Sequence, residues 1–175
     1  MKEDDRLTRA VIEAKNGSEA ALSEIIEQTQ DSLFRFTYYL TGNQQLSHDI
    51  CQDTFIKVLE KIKGLKEPER FKSWLFQMAK NLYLDHLKSS KNKNHVSIDN
   101  AAASDLLQID DKQKDLEIRQ ALSHLEMDER LPLLLVDLEG HSYIEAARTL
   151  GVSEDALRSR LQRARLAFAE KYKKS

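Results

Sequence analysis

The 175-residue chain has a single cysteine, Cys51, with two prolines and five glycines. One cysteine excludes an internal disulfide and any zinc site built on a cysteine pair. No window approaches the ~18 uninterrupted apolar residues that a spanning helix requires. The opening Met1-Lys2-Glu3-Asp4-Asp5 lacks the basic-then-apolar profile of a signal peptide. An excess of one charge is also missing, since 27 Lys and Arg stand against 29 Asp and Glu for a net charge of −2. There is no phosphate-cradling glycine loop and no Gly-x-Ser-x-Gly elbow. His48 and Cys51 stand three apart but have no second ligand pair nearby. At 41% hydrophobic and 32% charged, the chain is too apolar for disorder and too charged for a membrane protein. These absences predict a soluble, cytoplasmic protein with no metal, no cofactor, no small-molecule substrate and no enzymatic chemistry.

What remains is helical periodicity. Leu46, Ile50, Phe55, Val58, Leu59 and Ile62 form one apolar stripe, and Leu75, Met78, Ala79, Leu82 and Leu87 form most of another. No stretch alternates as a strand would. The glycines fall where helical patterns stop or restart, and Pro132 fits the first turn of a helix. The spacing predicts an all-α protein with helices over 5–15, 19–40, 46–63, 70–88, 113–125, 128–138, 142–149 and 153–172. Periodicity fades between Ser89 and Asp111, where polar residues dominate. A loop that long is uncommon inside a compact domain. The expected organisation is therefore two small helical domains, 1–90 and 113–175, joined by a flexible linker over 91–112.

Balanced charge hides one asymmetry. From Arg158 to Lys174 only Glu170 opposes Arg158, Arg160, Arg163, Arg165, Lys171, Lys173 and Lys174. Just before it, a short helix is expected to carry Ile144, Ala147 and Leu150 inward. Gly151 permits a tight turn, Val152 plugs the corner and Ser153 caps the next helix. This is the layout of a helix-turn-helix, whose second helix enters the major groove. The outward face of that helix presents Arg158, Ser159, Gln162, Arg163 and Arg165. Arginine pairs with guanine edges or with phosphates, and Ser and Gln read base edges or anchor to the backbone. A basic solvated helix that merely packs the two together is the plainer alternative.

Two N-terminal patches stand out. Along Leu46 to Leu59, Asp49, Gln52, Asp53 and Lys57 lie off the apolar stripe, on faces able to dock a partner helix or simply to meet water. In Phe71 to Lys88 the only Trp, Trp74, stands with Phe71, Phe76 and Tyr83 among Lys72, Lys80 and Lys88. Aromatics beside cations suit unstacked bases, and they equally suit a helix core. Cys51, close to an apolar stripe, is expected to be buried and inert, not an oxidant sensor.

Together these stretches resemble the extracytoplasmic-function (ECF) sigma factors of the sigma-70 superfamily over nearly the whole chain. The resemblance is carried by Asp49-x-x-Gln52-x-x-Phe55-x-x-Val58, by Phe71-x-x-Trp74-Leu75-x-x-x-Ala79-x-Asn81-x-x-x-Asp85, and by Glu139-Gly140-x-Ser142-Tyr143 through Ser159-Arg160-Leu161-x-Arg163-Ala164-Arg165. It implies a sigma-2-like helix bundle and a sigma-4-like helix-turn-helix domain. Asp49, Gln52, Asp53, Phe55 and Lys57 then become candidates for the core RNA polymerase β′ clamp helices, and the second domain for the β flap. Lys63, Lys66, Arg70, Lys72, Trp74, Lys80 and Asn81 become candidates for recognising and melting the −10 element of promoter DNA. Tyr143, Arg158, Ser159, Gln162, Arg163 and Arg165 become candidates for reading the −35 element, with an anti-sigma factor as a further partner. Two departures stand out. Val136 replaces a basic residue that many relatives set on −35 phosphate. After Asp85, His86, Lys88, Lys91 and Lys93 replace an arginine-rich run, which keeps charge but loses the planar fork. The competing readings are a free-standing dimeric helix-turn-helix repressor and a helical adaptor that binds no DNA.

Overall fold

The computed structural model describes residues 3–90 and 111–174, and these residues form helices with no strand. In chain order they are α1 (Glu3–Lys15), α2 (Glu19–Thr41), α3 (Gln44–Lys61), α4 (Phe71–Ser90), α5 (Lys112–Ser123), α6 (Met127–Leu133), α7 (Tyr143–Leu150) and α8 (Glu154–Lys173). Two 3₁₀ turns, Ile62–Gly64 and Pro68–Arg70, lie between α3 and α4, and a π turn, Leu134–Leu138, extends α6. The expected linker over 91–112 lies outside the described residues except for its end, where Asp111 caps α5 and Lys112 begins it. No helix among the described residues is long and apolar enough to cross a membrane.

Helix boundaries follow from capping chemistry. Ser18 accepts a hydrogen bond from the Ala21 N–H, Asn43 from Leu46, and Asp111 from Lys114, each satisfying an orphan donor at a helix start. Gly42 closes α2 at φ 67° with its N–H on the Tyr38 carbonyl, a left-handed geometry that suits glycine. The long α2 runs through the middle of the core, with Ile25, Leu33, Phe36 and Leu40 fully buried. At about 1.5–3 kcal/mol for each large apolar side chain, such burial is the main force on the first four helices. Phe36 meets Phe76 of α4 edge to face at 5.1 Å between ring centroids.

Three expectations need correction. Leu59 is 50% exposed, because α3 turns Ile50, Thr54 and Val58 inward and leaves Leu59 a further 100° around the helix. Ser47 and Thr54 sit in that inward line and satisfy their hydroxyls on the Asn43 and Ile50 carbonyls. Ile144 is 53% exposed, because Ala146, Ala147 and Thr149 form the buried face of α7. Pro132 lies beyond the first turn of α6, since the Glu129 carboxylate bonds the Glu126 N–H and starts the helix at Met127. Proline cannot donate to the carbonyl four residues back, and soon after it the helix widens into the π turn, where the Glu139 N–H reaches the Leu134 carbonyl.

Candidate nucleic-acid interface

The helix-turn-helix is built from two capped helices around one glycine. Ser142 accepts from the Glu145 N–H at 3.2 Å, while the Glu145 carboxylate accepts from the Ser142 N–H at 2.7 Å and hydroxyl at 2.8 Å. Burial pushes the Glu145 carboxyl up, but the Ser142 donors outweigh it and hold the group below its ordinary range. Gly151 then turns the chain at φ 67°, the Val152 N–H bonds the Ala147 carbonyl at 3.0 Å, and Ser153 caps α8 through the Ala156 N–H. Ala146 and Ala147 are buried against Leu157, Leu161 and Ala164 of α8. Small residues on α7 let the second helix approach closely, and this orients the opposite face of α8 to solvent.

That face holds the expected residues. Arg158, Ser159, Gln162, Arg163 and Arg165 are all exposed, and Leu166 joins them. They are not equivalent. The Arg158 guanidinium lies over the Tyr143 ring at 5.0 Å, while Arg165 is engaged by Asp137 through bonds of 2.6 and 2.9 Å. Arg160, half-buried, faces Asp128 at 3.6 Å.

The residues assigned to the −10 element divide into two environments. Lys63, Lys66 and Arg70 are exposed on the segment between α3 and α4, where Arg70 pairs with Glu67 at 2.6 Å. Lys15 donates to the Leu65 carbonyl and ties that segment to α1. Asn81 is exposed on α4, and Trp74 is half-buried at 5.8 Å from the Phe71 ring. Lys80, by contrast, donates to the Thr149 carbonyl of α7 at 3.2 Å, and burial pulls its ammonium below the ordinary lysine range. Lys72 is half-buried and faces Glu139, His141 and Glu145. The structure therefore turns Lys72 and Lys80 toward the C-terminal helices. Phe71, Phe76 and Tyr83 are buried, so most aromatics of this stretch serve the core.

On α3, Asp49, Gln52 and Asp53 are exposed, Asp49 bonded by Gln45 at 3.1 Å, and Phe55 and Lys57 lie half-buried at the side. Ile56, 45% exposed, completes the Asp49, Gln52, Asp53 stripe at helical spacing. The sequence holds that signal, an isoleucine three residues past Asp53 on the polar face, outside the apolar stripe of Leu46 to Ile62. Among the described residues no group of three or more His, Cys, Asp or Glu is placed to hold a metal ion. Burial raises the Cys51 thiol to about 11, with Thr37 at 3.2 Å, which makes the thiolate scarce at neutral pH.

A set of polar contacts joins the first four helices to the last four. Arg35 of α2 forms a bidentate pair with Glu139, both bonds 2.7 Å. The Tyr38 hydroxyl donates to Asp115 at 3.0 Å, and Asp115 pairs with Arg119 at 3.0 Å, all of it buried. Arg130 donates to the carbonyls of Leu40, Ser123 and Leu125. Ser73 donates to the Glu145 carbonyl and Thr149 returns a bond to the Ser73 carbonyl. His141 meets the Phe76 ring edge-on at 4.6 Å. The pairings that cross between the two sets are not visible in a single-helix pattern, since each joins residues distant in sequence, whereas Asp115 and Arg119 stand four apart on α5.

The family model for Sigma-70 region 2 matches residues 25–93, and that for Sigma-70, region 4 matches residues 115–168. The chain is 33% identical over 174 residues to the ECF RNA polymerase sigma factor SigE of Mycolicibacterium smegmatis, covering 93% of this chain and 66% of that protein. It thus spans just under two thirds of that relative. It is 30% identical over 137 residues to the ECF RNA polymerase sigma factor EcfG of Rhodopseudomonas palustris, covering 77% of this chain and 75% of the other. In fold it is similar to CnrH, solved in complex with the cytosolic domain of CnrY, at 21% identity and a TM-score of 0.73 over 94% of this chain and 96% of that one. It is also similar to the sigma factor RpoE solved with the anti-sigma factor NepR from Bartonella quintana, at 23% identity and a TM-score of 0.71 over 86% and 96%.

Two sigma-70 regions in this order, on helices that end in an exposed helix-turn-helix face, define a transcription initiation factor of the sigma-70 superfamily. Within that superfamily the chain belongs to the ECF RNA polymerase sigma factors. The repressor alternative finds no support in these matches.

Proposed function

We propose that this chain is the promoter-specificity subunit of a cytoplasmic RNA polymerase, with no chemistry of its own. Residues 1–90 bind core polymerase and the −10 element, 91–112 link, and 113–175 read the −35 element. The observation that carries this reading is the α8 face, where Arg158, Ser159, Gln162 and Arg163 stand exposed on a helix fixed from behind by Leu157, Leu161 and Ala164. Exposed bidentate donors on the second helix of a helix-turn-helix suit the major groove of duplex DNA. The Asp49, Gln52, Asp53 and Ile56 stripe suits a partner helix, polar along most of its length and apolar at its C-terminal end, and the clamp helices of β′ are the expected partner. The segment from Lys63 to Arg70, with Trp74 and Asn81, suits a strand being unpaired.

The pairing of Lys80 with Thr149 adds a condition. Lys80 reaches −10 DNA only after α7 leaves α4, so full promoter engagement requires the two helical sets to part. An anti-sigma factor that holds the sets together, as the fold likeness to the CnrH and RpoE complexes suggests, would oppose that step.

The test is nuclease footprinting of core polymerase carrying this chain, on a promoter recovered from genomic fragments. Protection of two short elements with permanganate-reactive thymines at the downstream one is expected. Protection of a palindrome by the chain without polymerase would contradict the reading.

A further inference from the structure

A chain of contacts at the exposed edge of α7 and α8 goes unused in this assignment. It starts at Asp137 in the π turn, whose two carboxylate oxygens accept from Arg165 Nη2 at 2.6 Å and Nε at 2.9 Å. The Arg165 side chain lies beside Tyr143, the two lining the same recess. The Tyr143 ring in turn carries the Arg158 guanidinium at 5.0 Å. Tyr143, Arg158, Gln162, Arg165 and Leu166 line one open recess of about 410 Å³.

Two aspects of this chain call for an explanation. Asp137 is an exposed carboxylate beside a surface that meets phosphates, where a negative charge opposes binding unless it serves another purpose. Arg165, although exposed, has its fork filled by that carboxylate in bidentate geometry, which fixes orientation as well as charge. A long arginine otherwise samples many rotamers, and ordering one on binding lowers affinity. Arg158 lies near the start of α8, the part of a recognition helix that meets base edges. Arg165 lies about two turns further along.

We propose that Asp137, acting through Arg165 and Tyr143, is a positioning residue that sets the Arg158 guanidinium for one base edge of the duplex read by α8. This rests on the −35 assignment above. It moves Arg165 and Tyr143 from direct contacts to supports, and it adds Asp137, which the sequence pattern does not mark. The Tyr143 ring face attracts the cation and limits its rotation, while Arg165, fixed by Asp137, walls the same recess beside the ring.

The test uses the full chain assembled with core polymerase, on a promoter selected from random DNA, with each base pair of the −35 element changed in turn. Arg158→Ala identifies the position at which discrimination is lost. Asp137→Asn is expected to lose about tenfold in discrimination at that same position, with little change elsewhere, and Asp137→Glu to retain it. The double variant Asp137→Asn with Arg158→Ala is expected to lose no more than Arg158→Ala alone. Additive losses overturn the proposal. So does a uniform rise in affinity for every duplex with Asp137→Asn, the result that simple repulsion gives. If Arg158→Ala shifts no position, the −35 assignment fails and the proposal falls with it. Melting curves check folding, and Tyr143→Phe against Tyr143→Leu provides a second comparison, with discrimination expected to fall chiefly when the ring is removed.

Discussion

Arg35 and Glu139 lie 104 residues apart in the sequence and form a bidentate pair with both bonds at 2.7 Å. The pair is lopsided, since the Glu139 side chain is 1% exposed and that of Arg35 is 41%. Burial raises the Glu139 carboxyl despite the guanidinium beside it, whereas the bond to Glu139 raises Arg35. The carboxylate thus bears most of the desolvation, and the arginine is what makes its burial tolerable.

The two single variants should differ accordingly. Arg35→Ala leaves a buried charge without its partner and is expected to destabilise the full chain by about 2–4 kcal/mol. Glu139→Gln leaves a partly hydrated arginine and is expected to cost under about 1 kcal/mol. Denaturant melts at neutral pH read both, and the reverse order would contradict the picture of a carboxylate-centred pair.

His141 sets an acid limit. It is buried, both ring nitrogens lack a hydrogen-bond partner, and burial followed by Lys72 lowers it from 6.5 to about 4. A depressed base contributes stability that is full above its unfolded value and is lost as pH falls toward the folded one. Stability should therefore decline between about pH 6.5 and 4. His141→Leu should flatten that limb and gain roughly 1–3 kcal/mol at pH 5 by removing an unsatisfied buried group. A variant with an unchanged acid limb would show that other groups govern it.

Much of this architecture is legible from spacing and caps, and the failures share a cause. Ser153 marks the start of α8 because capping is local, and Gly151 marks the turn before it for the same reason, whereas the Asn43 cap starts α3 two residues ahead of the expected 46. Leu59 and Ile144 break the rule that apolar means inward, since their helices turn smaller or polar residues to the core. Thr54 and Ser47 break the converse rule, since their hydroxyls bond their own helix and can be buried. The engagement of Lys80, Arg165 and Arg35 depends on residues far away in sequence, which no periodicity encodes.

On α3, Asp53→Arg and Ile56→Glu are each expected to weaken core polymerase binding at least tenfold while leaving the melting temperature nearly unchanged, because both side chains are exposed. Competition against a labelled reference sigma factor measures this. Unchanged affinity in both variants would remove the α3 face from the interface.

On α8, Arg158→Ala and Arg163→Ala are each expected to lower output from the cognate promoter by an amount equivalent to about 1–3 kcal/mol. A base-reading arginine loses sequence discrimination, whereas a phosphate-binding one weakens all sequences alike and shallows the salt dependence. Normal output from both variants would contradict the −35 assignment.

The most direct measurement is gel filtration of the full chain with sigma-free core RNA polymerase, followed by transcription on genomic fragments. A one-to-one complex that starts RNA at discrete sites is the predicted result. No complex, with a dimer of this chain binding DNA alone, would contradict it.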